Sequence, residues 1–258
     1  MLSRPPLCVK IANEVKTVNR NQLKIIACVS MLIDHIGFVL FPDITALRLV
    51  GRIAMPIFAF FIGEGCLYTK NRRKYFLRVF VLGLLCQAVY VAESLITKSG
   101  NCAYFNILLT FSLSIVLCSA FVYLKNTLEN GGRNEKIKGV ILFSATLAAV
   151  VAVHIFCKNS WTVTGTKFEF DYGIYGICLP LFAAVSKNKK TKLLCFGLAL
   201  TVCSFALYES IYFRLCALIP VVLLAFYNGK SGKANLKYFF YAFYPAHLAI
   251  IYLIDLLR

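Results

Sequence analysis

Long apolar blocks separated by short polar segments make up almost the whole chain. The blocks fall near residues 23–41, 47–68, 75–95, 103–124, 137–157, 171–186, 191–208, 211–227 and 238–257. A helix needs about 20 residues to cross about 30 Å of hydrocarbon, so blocks near this length predict about nine membrane spans, within a range of about eight to ten. The sixth block is short, and the seventh and eighth lie close together. The expected fold is all-α: a polytopic integral membrane helical bundle, in which each helix satisfies its own backbone groups.

The polar segments alternate in character. Basic clusters occur at Lys70, Arg72, Arg73 and Lys74, at Lys125, Arg133, Lys136 and Lys138, at Lys187, Lys189, Lys190 and Lys192, and at Lys230, Lys233 and Lys237. In a nine-span arrangement these share one side with Arg4, Lys10, Lys16 and Arg20, while the other side carries scattered positives such as Lys98, Lys158 and Lys167. The positive-inside rule then makes the N-terminus cytoplasmic and the C-terminus external. Residues 1–22 lack a signal peptide's apolar core and cleavage site, so they read as a cytoplasmic tail before a single transmembrane domain, 23–258.

Composition agrees with this placement. Hydrophobic residues make up 60% of the chain and charged ones 15%, against about 25% charged in soluble domains. Mean hydropathy is +0.75. The net charge of +17 is spread over short inter-block clusters and not along one face, so it predicts no nucleic-acid partner. The 11 cysteines are dispersed without a CxxC pair or metal-ligand spacing, so they read as small apolar filler and no metal is expected.

Candidate chemistry lies within the blocks. Asp34 and His35 stand in the first span, where an ionisable group costs about 2.5 to 3.5 kcal/mol on insertion scales and is seldom kept without a partner or a task. Lys24 and His35 are eleven positions apart, which brings them to within about 20° of one another on a helix and about 16 Å apart along its axis. Asp34 points about 100° away from His35. An antiparallel hairpin turning near residue 44 makes Asp34 level with Arg52, so an Asp34–Arg52 bridge is expected and His35 is left to act as a general base.

Other polar residues extend the set. Glu64 lies between Gly63 and Gly65, whose missing side chains admit either a ligand or a packed helix. Asp171 and Tyr172 open the sixth block, where Gly173, Gly176 and Pro180 favour an irregular helix lining protein or a wet cavity. His247 follows Pro245, which disturbs its helix and could aim the imidazole inward. Each residue alone is also compatible with polar helix–helix glue, and together they favour a shared cavity. A transporter or flippase with these residues along a substrate path is the alternative, although only the sixth and ninth spans look interrupted and they do not match as repeats.

The strings LKIIACVSMLIDHIG (23–37), GRIAMPIFAFFIGEG (51–65), KYFLR (74–78), DYGIYG (171–176) and KYFFYAFYPAHL (237–248) resemble the TraX family. The likeness runs from about residue 21 to the end. The family's founding member is an inner-membrane acetylase that modifies a pilus subunit's N-terminus with acetyl-CoA. The family is similar in turn to a wider group of membrane acyltransferases that carry a basic residue and a histidine with ten residues between them. The resemblance implies a multi-pass acetyltransferase of the cell membrane (inner or plasma), with acetyl-CoA as co-substrate and an amine or hydroxyl acceptor on a peptide, glycan or lipid. It implies His35 as the catalytic base and Lys24 toward the CoA phosphates; Arg72 and Arg73 read equally as further phosphate contacts or as topology signal, and the residues themselves suggest Asp34 and His247 beside His35, with Arg52, Glu64, Asp171 and Tyr172 in the polar cavity.

Overall fold

A computed structural model describes residues 17–97 and 103–258. Arg4, Lys10, Lys16 and Lys98, assigned above to the loops, lie outside the described residues. Among those described, helices alternate with short connections: α1 (Arg20–Val39), α2 (Thr45–Gly51), α3 (Ala54–Tyr68), α4 (Arg72–Thr97), α5 (Ile107–Asn130), α6 (Arg133–Thr164), α7 (Gly173–Ala184), α8 (Lys189–Leu207), α9 (Ile211–Ala225) and α10 (Lys237–Leu256). Seven units are long and apolar enough to cross a membrane, with α2 and α3 together forming one of them. The remaining two, α7 and α9, are shorter apolar helices. Each of the nine apolar blocks thus forms helix, seven of them at membrane-spanning length.

Polar residues at block edges start the helices. Asn19 accepts from the Gln22 backbone N–H at 3.0 Å while Gln22 Oε1 accepts from the Asn19 N–H at 2.9 Å, a reciprocal cap on α1. Asn106 caps α5 and Asn188 caps α8 in the simpler one-way manner. The core lies where α3, α5 and α7 meet, with Ile57, Phe111, Ile115, Leu117, Ile177 and Leu179 fully buried. Gly63 permits this closeness, because a Cβ there would collide with the Pro180 carbonyl oxygen. Helix α6 is mostly exposed along its length, as a lipid-facing helix would be.

The second span departs from the single helix expected over 47–68. It breaks at Arg52, between α2 and α3. Pro56 has no N–H to offer the Arg52 carbonyl four residues earlier, and its ring crowds that oxygen. The chain instead tightens there, with Arg52 N donating to Leu49 O and Ile53 N to Val50 O, both at 3.2 Å.

Contacts sort the connections to two ends. At one end Arg20 N donates to Lys230 O at 2.9 Å, Lys125 Nζ to Val185 O at 2.9 Å and Lys189 Nζ to Ala225 O at 2.8 Å. This end gathers the basic clusters. At the far end two short parallel strands, β1 (Tyr104–Phe105) and β2 (Glu169–Phe170), pair in a register that sets Phe105 against Phe170. Asp171 N continues this pairing by donating to Phe105 O at 3.0 Å. The strand pair was not foreseen, being only two residues on each side.

Candidate functional site

Two carboxylates at opposite ends of the bundle organise its polar interior. At the far end, Asp34 Oδ1 receives Arg52 Nη2 at 2.7 Å and Arg48 Nη1 at 2.9 Å. The Asp34–Arg52 pair is the one the hairpin predicts. Arg48 was not anticipated, although its four-residue spacing from Arg52 places both on one face. Arg52 Nε donates to Arg48 O at 3.0 Å, and Nη1 reaches the Tyr172 and Tyr208 hydroxyls at 3.3 and 3.4 Å. Gly51 makes room for this arrangement, since a Cβ there would collide with the Asp34 side chain.

Tyr172 reaches Arg52 from a left-handed backbone, φ 58°, which is costly for a non-glycine residue. Gly173 follows at φ 51°, also left-handed, where the lack of a Cβ removes the strain. Together they turn the chain from β2 into α7. Asp171, just before the turn, accepts the Tyr104 hydroxyl at 2.6 Å. Desolvation pushes the Asp171 carboxyl up from its ordinary value of 3.8 to about 6, although the Tyr104 hydrogen bond and Arg52 both oppose the rise. Desolvation and the neighbouring Asp171 carboxylate push the Tyr104 phenol up, so it stays protonated and donating.

His35 turns the other way from Asp34, toward α10. Its Nδ1 lies 2.9 Å from Met31 O, and His247 Nδ1 lies 2.8 Å from Phe243 O. A carbonyl oxygen only accepts, so each Nδ1 carries the ring hydrogen. His247 Nε2 is then a lone-pair acceptor, and it stands 3.2 Å from His35 Nδ1. The His35 N–H is thus shared between Met31 O and His247 Nε2. His35 Nε2 is left unprotonated, with no hydrogen-bond partner among the described residues.

The ring borders a cavity of about 60 Å³ lined by residues that include Asp34, His35, Gly51, Asp171, Tyr172 and Tyr244. The neighbours Asp34 and His35 meet the neighbours Asp171 and Tyr172 there, two pairs far apart in sequence. His247 joins them through His35, with its own side chain buried. Pro245 lies within a helix that continues to Leu256. Nothing in the local sequence pairs His35 with His247, because 212 residues separate them.

At the basic end Glu64 Oε1 receives Lys192 Nζ at 2.9 Å, and Oε2 receives Arg20 Nη2 and the Tyr227 hydroxyl, each at 3.1 Å. The Lys192 and Glu64 side chains are almost completely buried, 5% and 6% exposed, so this lysine of the presumed loop cluster is an internal counter-ion. The flanking glycines serve packing: Gly63 lies against Pro180, and a Cβ at Gly65 would crowd the Tyr75 ring. Glu64 is therefore remote in role from the far-end cavity and absent from its lining.

Lys24 shares the basic end. Its ammonium lies over the Phe61 and Phe240 rings, 5.7 and 5.4 Å from their centroids, and borders a separate cavity of about 340 Å³ with Arg20, Lys233 and Lys237. Arg72 and Arg73 are not brought to it. Arg72 Nε instead donates to Cys66 O at 3.2 Å, covering a C-terminal carbonyl of α3, and Arg73 is exposed.

The TraX protein family model matches residues 19–255. A probable fimbrial assembly protein of Dichelobacter nodosus, FimC of serogroup H1, is 27% identical over 89% of this chain and 93% of its own length. An uncharacterized protein of Rickettsia prowazekii is 30% identical over 83% of this chain and 72% of its own length. No solved structure shows a significant match. With nearly its whole length matched by the family model, the chain belongs to the TraX family.

Proposed function

We propose that this protein is a membrane acetyltransferase that carries an acetyl group from cytoplasmic acetyl-CoA to an amine or hydroxyl acceptor at the opposite side of the bilayer. The observation that carries the reading is the state of His35. Its Nδ1–H is held by Met31 O and His247 Nε2, its Nε2 has no hydrogen-bond partner among the described residues, and the ring borders a cavity lined by two carboxylates, Asp34 and Asp171, and two tyrosines. A base needs a lone pair directed at the reacting group and an opposite nitrogen that is held in place.

In the proposed step the acceptor nitrogen or oxygen attacks the thioester carbonyl, the acceptor's proton passes to His35 Nε2, and the carbon–sulfur bond breaks. The sulfur departs as thiolate and takes the proton from His35, leaving free CoA thiol and acetylated acceptor. While His35 is cationic, its Nδ1–H bonds to Met31 O and His247 Nε2 become charge-assisted and stronger. His247 is a positioning residue in this scheme. Asp34 does not orient His35; with Arg48 and Arg52 it holds the wall behind it.

The name of the Dichelobacter relative as a fimbrial assembly protein supports a pilin-like peptide N-terminus as acceptor, with another cell-envelope amine or hydroxyl compound as the broader class. The concentration of lysines and arginines at one end supports a cell-membrane protein with that end cytoplasmic. Purified protein in lipid nanodiscs, given acetyl-CoA and a panel of amine and hydroxyl acceptors, is expected to release CoA thiol only with a competent acceptor. Release that ignores every acceptor, or none at all despite bound CoA, contradicts the reading.

A further inference from the structure

The basic-end cavity beside Lys24 is built chiefly from a segment with no role assigned above, the connection between α9 and α10. Its walls are Arg20, Asn21 and Lys24 of α1, Ser231 to Leu236 of the connection, and Lys237, Phe240 and Tyr241 of α10. Several hydrogen bonds fix the connection onto α1. Arg20 N donates to Lys230 O at 2.9 Å, Asn21 Nδ2 donates to Ala234 O at 2.7 Å, and Val18 N donates to Phe226 O at 3.0 Å. Gly232 adopts φ 89°, and a Cβ there would press on the Asn19 and Asn21 side chains at 3.0 and 3.1 Å. The lining is thus a built surface with a defined shape.

Its charge is unbalanced. Lys24, Lys233 and Lys237 have no carboxylate within ion-pairing distance among the described residues, and no Asp or Glu lines the cavity. The Lys24 ammonium lies over the Phe61 and Phe240 rings, and that of Lys237 over those of Tyr238 and Tyr241. Arg20, although bonded to Glu64 through Nη2, keeps a buried Nε without a partner among the described residues. Helix α10 begins at this cavity with no side-chain cap, so its first N–H groups add to the positive field. The same two helices carry the histidine pair farther along. His35 lies eleven residues beyond Lys24 and His247 ten beyond Lys237, or about 15 to 17 Å at 1.5 Å per residue.

We propose that this vestibule binds the phosphorylated end of the acyl donor, with Lys24, Lys233 and Lys237 gripping its phosphates and the Ser231–Gly232 turn forming the rim. The assignment rests on the acetyl-CoA reading given above. The arm from the phosphate to the thioester sulfur of CoA contains about twelve chain bonds, the equivalent of about four extended residues or about 14 Å. That reach matches the separation between the vestibule and the histidines. The lysines at 233 and 237 then serve ligand binding and not topology alone.

Binding of CoA, dephospho-CoA and inorganic pyrophosphate to protein in phosphatidylcholine nanodiscs tests this. Lys233→Ala with Lys237→Ala is expected to weaken CoA binding at least tenfold, the scale of losing charged hydrogen bonds, and to weaken it further with added salt. Lys237→Arg is expected to restore most of the loss, and Lys190→Ala, outside the cavity, to change nothing. Pyrophosphate binding that vanishes in the double variant supports the vestibule even where no acetyl transfer is found. Parental CoA affinity in the double variant overturns the vestibule while leaving the transfer reading intact. A defect seen only in nanodiscs containing phosphatidylglycerol, with CoA affinity preserved, overturns it in favour of an anionic lipid headgroup.

Discussion

Asp34 and Glu64 are both carboxylates placed inside the bundle, and both hold two cations, yet their surroundings differ in what they leave unused. Glu64 has both oxygens occupied, by Lys192 on one and by Arg20 and Tyr227 on the other. The cluster ties α1, α3 and α8 to the end of α9; a cavity of about 260 Å³ adjoins it, but what the cluster leaves unmet among the described residues is a donor, Arg20 Nε, and not an acceptor. Asp34 is also occupied, by Arg48 and Arg52, but next to it His35 has an unprotonated nitrogen without a partner among the described residues, on a ring that borders a cavity. A network whose acceptors are all occupied is a staple. A network with one unmet acceptor beside a cavity can take a proton. Intramembrane charge alone does not separate these roles; the inventory of satisfied and unsatisfied groups does.

The contrast can be broken at several points. The largest effect is expected at the unmet acceptor: His35→Ala lowers acetyl transfer by about a hundredfold to ten-thousandfold, the usual range for a general base, with the unfolding midpoint unmoved. Glu64→Gln is expected to act oppositely. It leaves Lys192 buried without a counter-charge and costs about 3 to 5 kcal/mol in stability, measured by denaturant titration in micelles, while the folded fraction keeps its turnover. Loss of turnover without loss of stability in Glu64→Gln would erase the distinction between the two carboxylates.

Gly51→Ala is a milder perturbation of the far end, forcing Asp34 away from the position a Cβ would occupy. A cost of about 1 to 3 kcal/mol is expected from overpacking, together with reduced transfer in the folded fraction. The smallest effect is a slope with pH. Asp171 binds its proton more tightly when folded, up to about 6 against 3.8, so stability is fully present below about pH 4 and is lost as pH rises toward 6. The slope is at most about 1.4 kcal/mol per pH unit. Asp171→Asn is expected to flatten it in melts recorded across that window, and an unchanged slope would assign it to another group.

Much of the fold is visible in the chain itself because membrane spans are marked by length and apolarity alone. The Asp34–Arg52 bridge follows from hairpin arithmetic. The break in the second span could have been read from Pro56, whose missing donor falls one turn after Arg52, but the apolar block runs through it undisturbed. Lys192 stands on the side that the sequence assigns it, but its burial was not legible, because basic residues near a helix start satisfy the topology rule equally well whether they face water or a buried carboxylate. The His35–His247 contact and the α9–α10 vestibule depend on tertiary packing between opposite ends of the chain, so no local periodicity records them.

The most direct test joins two readouts on one sample: acetyl-CoA turnover, followed as released thiol, and equilibrium CoA binding, for parental protein and His35→Ala in nanodiscs. The account predicts that His35→Ala binds CoA with parental affinity and loses turnover by about a hundredfold or more. Parental turnover in His35→Ala, with the protein folded and CoA bound, would contradict it.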